Sequence, residues 1–200
     1  MFNTQKPYSE SCDENAQPIL DVLKTKLPEL GNLLEIGSGT GQHAVIFARS
    51  FPKLNWHTSD VNEAHAGIQL WLDEFQLDNL LSPIPLDVLN DQWPDQKFDA
   101  IFTANTSHIM SQQAVEAMFK GVSSVLKADV PFLTYGPFMY NGKHTSESNV
   151  RFDHWLRTRA QHQGVRDVSW LKELATNNGL YLDEDIEMPA NNRILVWRLK

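Results

Sequence analysis

Three glycines at alternate positions, Gly37, Gly39 and Gly41, are the residues of this chain that point most directly to chemistry. They follow an apolar stretch that ends at Ile36, and a helical pattern begins after them. Glycine adopts backbone conformations that other residues avoid and lets a ligand approach closely. The first N–H groups of the following helix would point at that ligand. A strand, a glycine turn and a helix in this order predict a nucleotide-type crevice at the carboxyl end of a parallel strand.

The glycine spacing distinguishes between kinds of nucleotide site. A dinucleotide site needs G-x-G-x-x-G, whose third glycine would stand at Gln42, and a P-loop needs a lysine that this segment lacks. The segment instead resembles motif I of the class I S-adenosylmethionine methyltransferases. In that motif an acidic residue, here Glu35, stands two positions before the first glycine of a G-x-G-x-G turn. The alternative is a glycine-rich turn that binds nothing.

Asp60 is the second candidate, because it follows a predicted strand over Leu54–Ser59 about 20 residues after Gly41. Nucleotide-binding α/β folds place a carboxylate near this position to accept hydrogen bonds from ribose hydroxyls. Aspartate is also a favoured N-cap, so Asp60 could begin the helix predicted from Asn62. The two roles are compatible.

The methyltransferase resemblance implies further cofactor contacts after the third and fourth strands. Its pattern places an acidic side chain against the exocyclic amine of adenine and the next backbone N–H near the ring, and Asp87 and Val88 stand at these positions. An exposed turn aspartate is the competing interpretation of Asp87. The cofactor is then S-adenosylmethionine, with S-adenosylhomocysteine as product, and the expected binding set is Glu35, Gly37, Ser38, Gly39, Gly41, Asp60, Asp87, Val88 and Asn105.

The loop Asn105–His108 is the predicted place for catalysis. It follows the fourth strand, which should lie beside the first strand across the topological switch point. His108 could accept a proton from an oxygen or nitrogen nucleophile, since the unperturbed pKa of histidine is about 6.5. It could equally pack at the strand end. His108 and, from a later loop, Tyr140 are the predicted catalytic residues.

Alternating strands and helices must position these residues, and this alternation predicts an α/β sandwich. The resemblance implies a Rossmann-like, seven-stranded, mostly parallel sheet of order 3-2-1-4-5-7-6, with the last strand antiparallel and helices on both faces. The whole chain, 1–200, is predicted to form one domain. After the first strand, the predicted strands are Leu54–Ser59, Ser82–Leu86, Phe98–Ala104, Val130–Tyr135, Leu180–Met188 and Ile194–Leu199.

Residues 1–30 are predicted to form an arm that covers the cofactor. The polar segment Met1–Glu14 should be extended or mobile, and a helix over Asn15–Leu27 should carry Pro18 in its first turn. A helix that merely covers the sheet edge is the alternative. The polar candidates for contact with the cofactor are Tyr8, Ser9, Glu14 and Asn15.

An insertion at about 138–168 follows the fifth strand and is too long and polar for a bare connection. Phe152, Trp155 and Leu156 indicate a helix within it, and we expect this segment to form the acceptor wall, with His144 and Glu147 as candidate contacts beside Tyr140. The alternative is a capped helix on a decorative insertion.

The composition indicates which kinds of partner and which cellular location to expect. Seventeen basic against 25 acidic residues give a net charge of −8, and no basic block marks a nucleic-acid partner. A single cysteine, Cys12, and the lack of an apolar signal at the start predict a cytoplasmic protein. No apolar run reaches the roughly 18 residues of a membrane span. The histidines and Cys12 lack metal-ligand spacing, so no metal is expected.

A narrower resemblance rests on GSGTGQHA, SD at 59–60, PLDVL, ANTSHI, YGPF, TSESN and MPANN. These segments resemble a family of small methyltransferase-like proteins catalogued as domain of unknown function 938, from about Tyr8 to Leu199. The resemblance implies methyl transfer from S-adenosylmethionine to an acceptor that we expect to be a small molecule. A protein acceptor is a weaker option. A protein that binds the cofactor without turnover, as a sensor or for a partner, is the alternative function.

Overall fold

The computed structural model describes residues 6–200. Residues 1–5 of the predicted arm lie outside the described part. The helices are α1 Glu10–Lys26, α2 Gln42–Ser50, α3 Asn62–Phe75, α4 Gln112–Val125, α5 Glu147–Arg159 and α6 Val168–Asn177. The strands are β1 Gly31–Ile36, β2 Leu54–Asp60, β3 Leu80–Pro85, β4 Ala100–Ala104, β5 Pro131–Gly136, β6 Phe138–Tyr140, β7 Lys143–His144, β8 Arg166–Asp167, β9 Leu180–Met188 and β10 Asn192–Leu199.

The main sheet has the order β3-β2-β1-β4-β5-β10-β9. Its first five strands are parallel, and β10 runs antiparallel to both of its neighbours. Since β9 and β10 are the sixth and seventh strands of this sheet along the chain, the predicted order 3-2-1-4-5-7-6 is confirmed. The carboxyl ends of β1, β4 and β2 therefore meet at the switch point between β1 and β4.

Helices cover each face of the sheet. Successive side chains of the central strands point to opposite faces and so contribute to two apolar cores. Leu33 and Leu34 of β1 are both fully buried but belong to different cores, as successive side chains of a strand must. The first core contains the apolar faces of α1, α2 and α3. The second contains those of α4 and α6, with Trp197 of β10. The sheet is thereby fixed as a rigid base for the loops at its carboxyl edge.

The helix α1 starts earlier than the sequence predicted. It begins at Glu10, so the expectation of an extended arm as far as Glu14 is wrong for residues 10–14. These residues are mostly exposed and carry no apolar periodicity, but Glu10 and Asp13 are acidic residues at the helix N-terminus, where they are favourable. Pro18 consequently lies inside the helix and not in its first turn. The predicted ends of the strands after β1 lie within two residues of those in the structure.

The insertion forms a small unit beside the main sheet. Strands β7, β6 and β8 make a three-stranded sheet in that order, and α5 lies between β7 and β8 in the chain. The predicted helix around Phe152 and Leu156 is confirmed. Within residues 6–200, no helix has the length and apolar character needed to cross a lipid bilayer.

Candidate functional site

The glycine turn joins β1 to α2 in the way that the spacing predicted. Gly37, Gly39 and Gly41 all have positive φ, at 70°, 59° and 90°. A Cβ on Gly41 would lie 3.2 Å from the Cα of Ile68 on α3, so both the backbone angle and the close helix require glycine there. A Cβ on Gly39 would meet nothing within 4 Å. The turn therefore packs tightly at Gly41 and leaves open space at Gly39, where a ligand can approach.

Glu35 stabilises the glycine turn by a buried hydrogen bond to Ser38. Its Oε2 accepts hydrogen bonds from Trp56 Nε1 and Ser38 Oγ, each at 3.0 Å, although the residue is only 2% exposed. Burial raises the pKa of its carboxyl to about 7, opposed by these two hydrogen bonds and assisted by the charge of Asp60. The Glu35 carboxyl therefore keeps its proton to a higher pH than an exposed glutamate does. A cation in the adjacent cavity would favour the ionised form.

We expect Glu35→Gln to flatten the dependence of stability on pH. The folded carboxyl holds its proton up to about pH 7, whereas its ordinary value is 4.5, so the parent loses stability as pH rises through this window. The full loss is roughly 3 kcal/mol, at about 1.4 kcal/mol per unit. Glutamine keeps an acceptor for Trp56 and Ser38 without the titration. Urea unfolding at pH 5 and pH 8 should show the variant gaining on the parent at pH 8; an equal difference at both values would contradict the prediction.

Asp60 lies at the end of β2 and faces the glycine turn. Its Oδ2 accepts the Gly39 N–H and its Oδ1 accepts the Val61 N–H, both at 2.8 Å. The N-cap of α3 is Val61, and no side chain caps that helix. Asp60 therefore braces the turn instead of capping the helix. A carboxylate has about four acceptor positions, so each oxygen retains one for a ligand.

These residues line a cavity of about 480 Å³ at the switch point, which we call the cofactor cavity. Its size lies within the range of pockets that bind small ligands. The predicted cofactor residues that line it are Glu35, Gly37, Ser38, Gly39, Asp60, Asp87, Val88 and Asn105. Gly41 does not line it, because its role is the tight contact with α3. Eight of the nine predicted cofactor residues therefore line this cavity, together with residues that were not predicted, among them Thr40, His43 and Ala114. Their contact with a cofactor stays a prediction.

Asp87 has a structural task as well as a place at the cavity. Its Oδ1 accepts the Leu89 N–H at 3.0 Å and its Oδ2 accepts Asn90 Nδ2 at 2.7 Å. These bonds form the turn after β3, as the alternative interpretation of this residue expected. Asp87 and Val88 nevertheless line the cofactor cavity, so the turn also presents them to a ligand.

The start of α1 closes one side of the cofactor cavity through Ser9, Ser11 and Cys12. Gln42, fully buried at the start of α2, holds this segment in place. Its Oε1 accepts the Ser9 N–H at 2.6 Å, and its Nε2 donates to Ser9 O at 3.2 Å and to Asp13 Oδ1 at 3.0 Å. One side chain thus links the glycine turn to the N-terminal segment. Gln42 was not predicted as a site residue, although its position directly after the third glycine is a signal that could have identified it.

The N-terminal segment is also fixed on its outer side. Trp71 Nε1 on α3 donates to Pro7 O at 2.7 Å, and the Lys6 ammonium lies 3.7 Å from the centre of the Trp71 ring. Of the polar residues predicted to contact the cofactor, Ser9 lines the cofactor cavity. Tyr8 is 62% exposed and donates to Asp13 Oδ2 at 2.6 Å. Ser9, Ser11 and Cys12 of this segment therefore form one side of the cavity, and closure of the segment over a bound cofactor stays a prediction.

The loop after β4 does not present His108 to the cofactor cavity. Residues Asn105, Thr106, Ile109 and Met110 line that cavity, whereas His108 turns inward and is 5% exposed. Its ring lies edge-on to Phe152 of α5, with centroids 5.1 Å apart. Burial, with the nearby Arg166 charge, lowers its pKa to about 4, so it is neutral at physiological pH.

Arg166 fixes the shape of this loop and was missed from the sequence. It is 5% exposed and donates from Nε to Ser107 O at 3.0 Å, and from Nη2 to Met110 O and to His162 O, the latter at 2.9 Å. The guanidinium thus satisfies carbonyls that have no other hydrogen-bond donor among residues 6–200. No sequence pattern predicts which distant carbonyls an arginine will reach.

A second cavity of about 530 Å³ adjoins the first, and we call it the acceptor cavity. Ser11 and Asn105 line both cavities. The predicted lid residues Glu14 and Asn15 also line the acceptor cavity. Its remaining walls come from α1, from the carboxyl end of β5, from α5 and from the turn between β9 and β10, at Pro18, Tyr135, Pro137, Ser148, Asn149, Phe152, Pro189, Ala190, Asn191 and Asn192.

Two features of the acceptor cavity suggest a built site. Asn149 is 5% exposed, and its Nδ2 donates to Thr145 Oγ1 and Asn191 O, each at 3.0 Å, which fixes the amide at the wall. Ala190 and Asn191 have φ of 56° and 59° in the turn that forms another wall. A left-handed alanine is strained, and such strain is concentrated at functional sites.

The other predicted substrate and catalytic residues of the insertion lie away from both cavities. Tyr140 donates to Asp185 Oδ2 at 2.8 Å, and burial with this bond raises the pKa of its phenol. His144 Nε2 lies 3.8 Å from Asp153 Oδ2, and Glu147 is an exposed residue in the first turn of α5. The insertion does form a wall, but through Ser148, Asn149 and Phe152. No cluster of three metal-ligating side chains occurs in residues 6–200.

Solved structures with the same fold are methyltransferases. The mitomycin 7-O-methyltransferase MmcR matches 95% of this chain and 54% of its own, with a TM-score of 0.81 and 16% identity. CalO1, a methyltransferase in calicheamicin biosynthesis solved with S-adenosylhomocysteine, matches 92% of this chain and 54% of its own. The TM-score is 0.75 and the sequence identity is 19%. The O-methyltransferase NcsB1 from neocarzinostatin biosynthesis was solved in complex with S-adenosylmethionine and 2-hydroxy-5-methyl naphthoic acid. It matches 95% of this chain and 55% of its own, with a TM-score of 0.77 and a sequence identity of 12%.

This chain spans about half the length of each of these proteins. At such identities the likeness concerns the fold, which is the Rossmann-like fold of the class I methyltransferases. A family model described as "Protein of unknown function (DUF938)" matches residues 6–199. Since that match covers nearly the whole sequence, the chain belongs to this family.

Proposed function

We propose that this protein is an S-adenosylmethionine-dependent methyltransferase that acts on a small molecule held in the acceptor cavity. The observation that carries the proposal is the meeting of the two cavities at Ser11 and Asn105. One cavity contains the glycine turn and the carboxylate of Asp60, and the insertion forms a wall of the other. A donor and an acceptor in adjoining cavities are what group transfer requires.

The cofactor cavity suits a cationic nucleoside. Its carboxylates, Glu35, Asp60 and Asp87, attract the positive charge of S-adenosylmethionine, and no lysine or arginine among residues 6–200 lines it. The open space at Gly39 admits the ligand close to the backbone. Asp60 would accept the ribose hydroxyls, and Asp87 and Val88 would lie near the adenine. These assignments follow the motif and the lining of the cavity together.

When bound, S-adenosylmethionine supplies a methyl group already activated on a sulfonium. The chain then has to hold donor and acceptor in line and exclude water. The start of α1, which Gln42 holds by hydrogen bonds, lies at the junction of the cavities and would exclude water. Asn105 lies on the loop that Arg166 holds, and it would help to keep donor and acceptor in line.

The lining of the acceptor cavity indicates the charge of the acceptor. Its polar groups are mainly amides and hydroxyls beside an apolar surface, Glu14 is its carboxylate, and no lysine, arginine or histidine of residues 6–200 lines it. A carboxylate or phosphate would therefore lose its hydration without gaining a cationic partner. We propose an uncharged or cationic acceptor that Asn15, Asn105 and Asn149 orient by hydrogen bonds.

The proposal assigns no proton transfer to His108 or Tyr140, because neither lines a cavity. Tyr135, which does line the acceptor cavity, is neutral at physiological pH since burial raises its pKa to about 12. The lack of an evident base also keeps the second candidate open, namely a protein that binds the cofactor without turnover.

The test incubates the protein with S-adenosylmethionine labelled in its methyl group and the small-molecule fraction of a cell extract. We expect label in a low-molecular-weight product with equal formation of S-adenosylhomocysteine. Asp60→Ala should abolish the transfer, and Asp73→Ala, an exposed change on α3, should not. Calorimetry with S-adenosylmethionine accompanies the assay. Binding without any labelled product would favour the non-catalytic protein, and the absence of binding would overturn the cofactor assignment.

A further inference from the structure

A third cavity, of about 410 Å³, lies behind the loop that follows β4. Met110 lines the cofactor cavity, and the next residue, Ser111, lines this one. We call it the arginine cavity, because two arginines face it in a chain whose net charge is −8. Its polar lining includes Ser111, Gln112, Gln113, Arg157, His162 and Arg166, beside Asp167 and Trp170.

The N-terminus of α4 opens into this cavity with unused donors. Ser111 is the N-cap, and its Oγ accepts the Ala114 N–H at 3.1 Å. The N–H groups of Gln112 and Gln113 donate to no acceptor within residues 6–200. No acidic residue occupies the first turn of α4 to complement the helix dipole. Gln112 and Gln113 line the cavity, so the N-terminus of this 14-residue helix, with two free N–H groups and the positive end of its dipole, adjoins the cavity.

Arg166 supplies a second, independent feature. Only 5% of the Arg166 surface is exposed, yet no carboxylate of residues 6–200 lies within 4 Å of its guanidinium. Nε and Nη2 donate to the three carbonyls described above, whereas Nη1 donates to none. Nη1 also retains solvent access, and the arginine cavity is the one that Arg166 lines. A buried guanidinium with an unused donor facing a cavity is suited to an anion.

The neighbouring charges leave this site open to an anion. Arg157 is half-exposed, and its Nε pairs with Asp153 Oδ2 at 2.8 Å, so part of its guanidinium remains for a ligand. Asp167 is the carboxylate that lines the cavity, but its Oδ1 accepts the Ser169 N–H at 2.8 Å and its Oδ2 the Gly142 N–H at 2.5 Å. His162 is exposed at the rim and adds a third donor.

We propose that the arginine cavity binds the oxyanion group of a small molecule, a phosphate or a carboxylate. The group is held by Arg166 Nη1 and by the N–H groups of Gln112 and Gln113. The cavity is larger than one phosphate, and Met139 and Trp170 give it an apolar side for the rest of the ligand. This site is separate from methyl transfer and does not depend on the proposed function.

The test introduces a carboxylate where the anion would bind. In Gln113→Glu the new charge lies in the first turn of α4, where it favours the helix, so folding is preserved. It repels an anion in the cavity. Gln92→Glu is the matched control, because it makes the same change of charge at an exposed residue that lines none of the cavities. Thermal unfolding is followed against phosphate and, separately, acetate, with sodium chloride matching the ionic strength.

We expect a saturable rise of the unfolding temperature of the parent with at least one of the two anions. The apparent dissociation constant should increase at least tenfold in Gln113→Glu and stay within twofold of the parent in Gln92→Glu. The anion that binds more tightly identifies the group as phosphate or carboxylate. Equal responses of all three proteins, or no saturable response of the parent to either anion, would overturn the proposal.

Discussion

Asp60→Ala is expected to weaken the binding of S-adenosylmethionine by at least about 100-fold. The carboxylate lines the cofactor cavity and keeps one acceptor position on each oxygen, because Gly39 and Val61 use the others. Hydrogen bonds to a charged group contribute about 1.5–3 kcal/mol each, and two ribose hydroxyls would lose both. Every 1.4 kcal/mol corresponds to a tenfold change in affinity. Calorimetric titration with S-adenosylmethionine and S-adenosylhomocysteine measures the loss.

The control for this prediction separates binding from folding. Asp60→Ala also removes two backbone contacts at the turn, so the free energy of unfolding should fall by about 1–2 kcal/mol and the fold should persist. Asp73→Ala removes an exposed carboxylate from the neighbouring helix and should change neither quantity. An affinity of Asp60→Ala within threefold of the parent would remove Asp60 from the site. Binding of NAD instead of S-adenosylmethionine to the parent would contradict the choice of cofactor.

The cofactor side could be predicted because local spacing determines it. Gly37, Gly39 and Gly41 specify a turn that other residues cannot adopt, and the carboxyl ends of parallel strands must meet at one edge. Asp60 and Asp87 follow directly from the ends of β2 and β3. These positions depend on backbone geometry, which the sequence records over short distances.

The contacts of Gln42 with the N-terminal segment and the conformation of the loop after β4 could not be predicted in the same way. Gln42 and Arg166 act on carbonyls and amides far away in the sequence, such as those of Ser9 and Ser107. The loop containing His108 was correctly placed after β4, but the turn at Thr106 directs that side chain into the interior. The Ile109 and Met110 N–H groups donate to Thr106 O, each at 3.0 Å, and so form the turn. A one-residue difference in a turn exchanges inward and outward side chains.

The acceptor side was predicted as a segment but not residue by residue. The helix in the insertion is present as α5, yet the side chains that line the cavity are Ser148, Asn149 and Phe152. Asn149 and Phe152 are three positions apart and therefore lie on one face of the helix. Which face turns inward is decided by the contacts of Phe152 with His108 and of Asn149 with the turn at Asn191. That packing involves contacts over more than 40 residues of sequence.

Arg166→Met should lower the free energy of unfolding by roughly 3–5 kcal/mol. Methionine fills much of the volume but leaves the carbonyls of Ser107, Met110 and His162 without their donor, and each unsatisfied buried carbonyl costs about 1–3 kcal/mol. The removal of a buried charge offsets part of that cost. Because Asn105, Ile109 and Met110 belong to the loop that Arg166 holds, the cofactor cavity should loosen as well. Urea unfolding measures the first effect, and calorimetry with S-adenosylmethionine measures the second.

Arg151→Met is the matched control for Arg166, since it removes an exposed arginine from α5 with the same substitution. Its effect should stay within about 0.5 kcal/mol, as for most surface changes. Arg166→Lys adds a second comparison: it keeps the charge but cannot reach three carbonyls as a planar fork does, so we expect a loss between those of the other two variants. If Arg166→Met and Arg151→Met have equal stability, the loop after β4 is held by its own turn and not by the guanidinium. The shape of the cofactor cavity would then be a property of β4 and Thr106 alone.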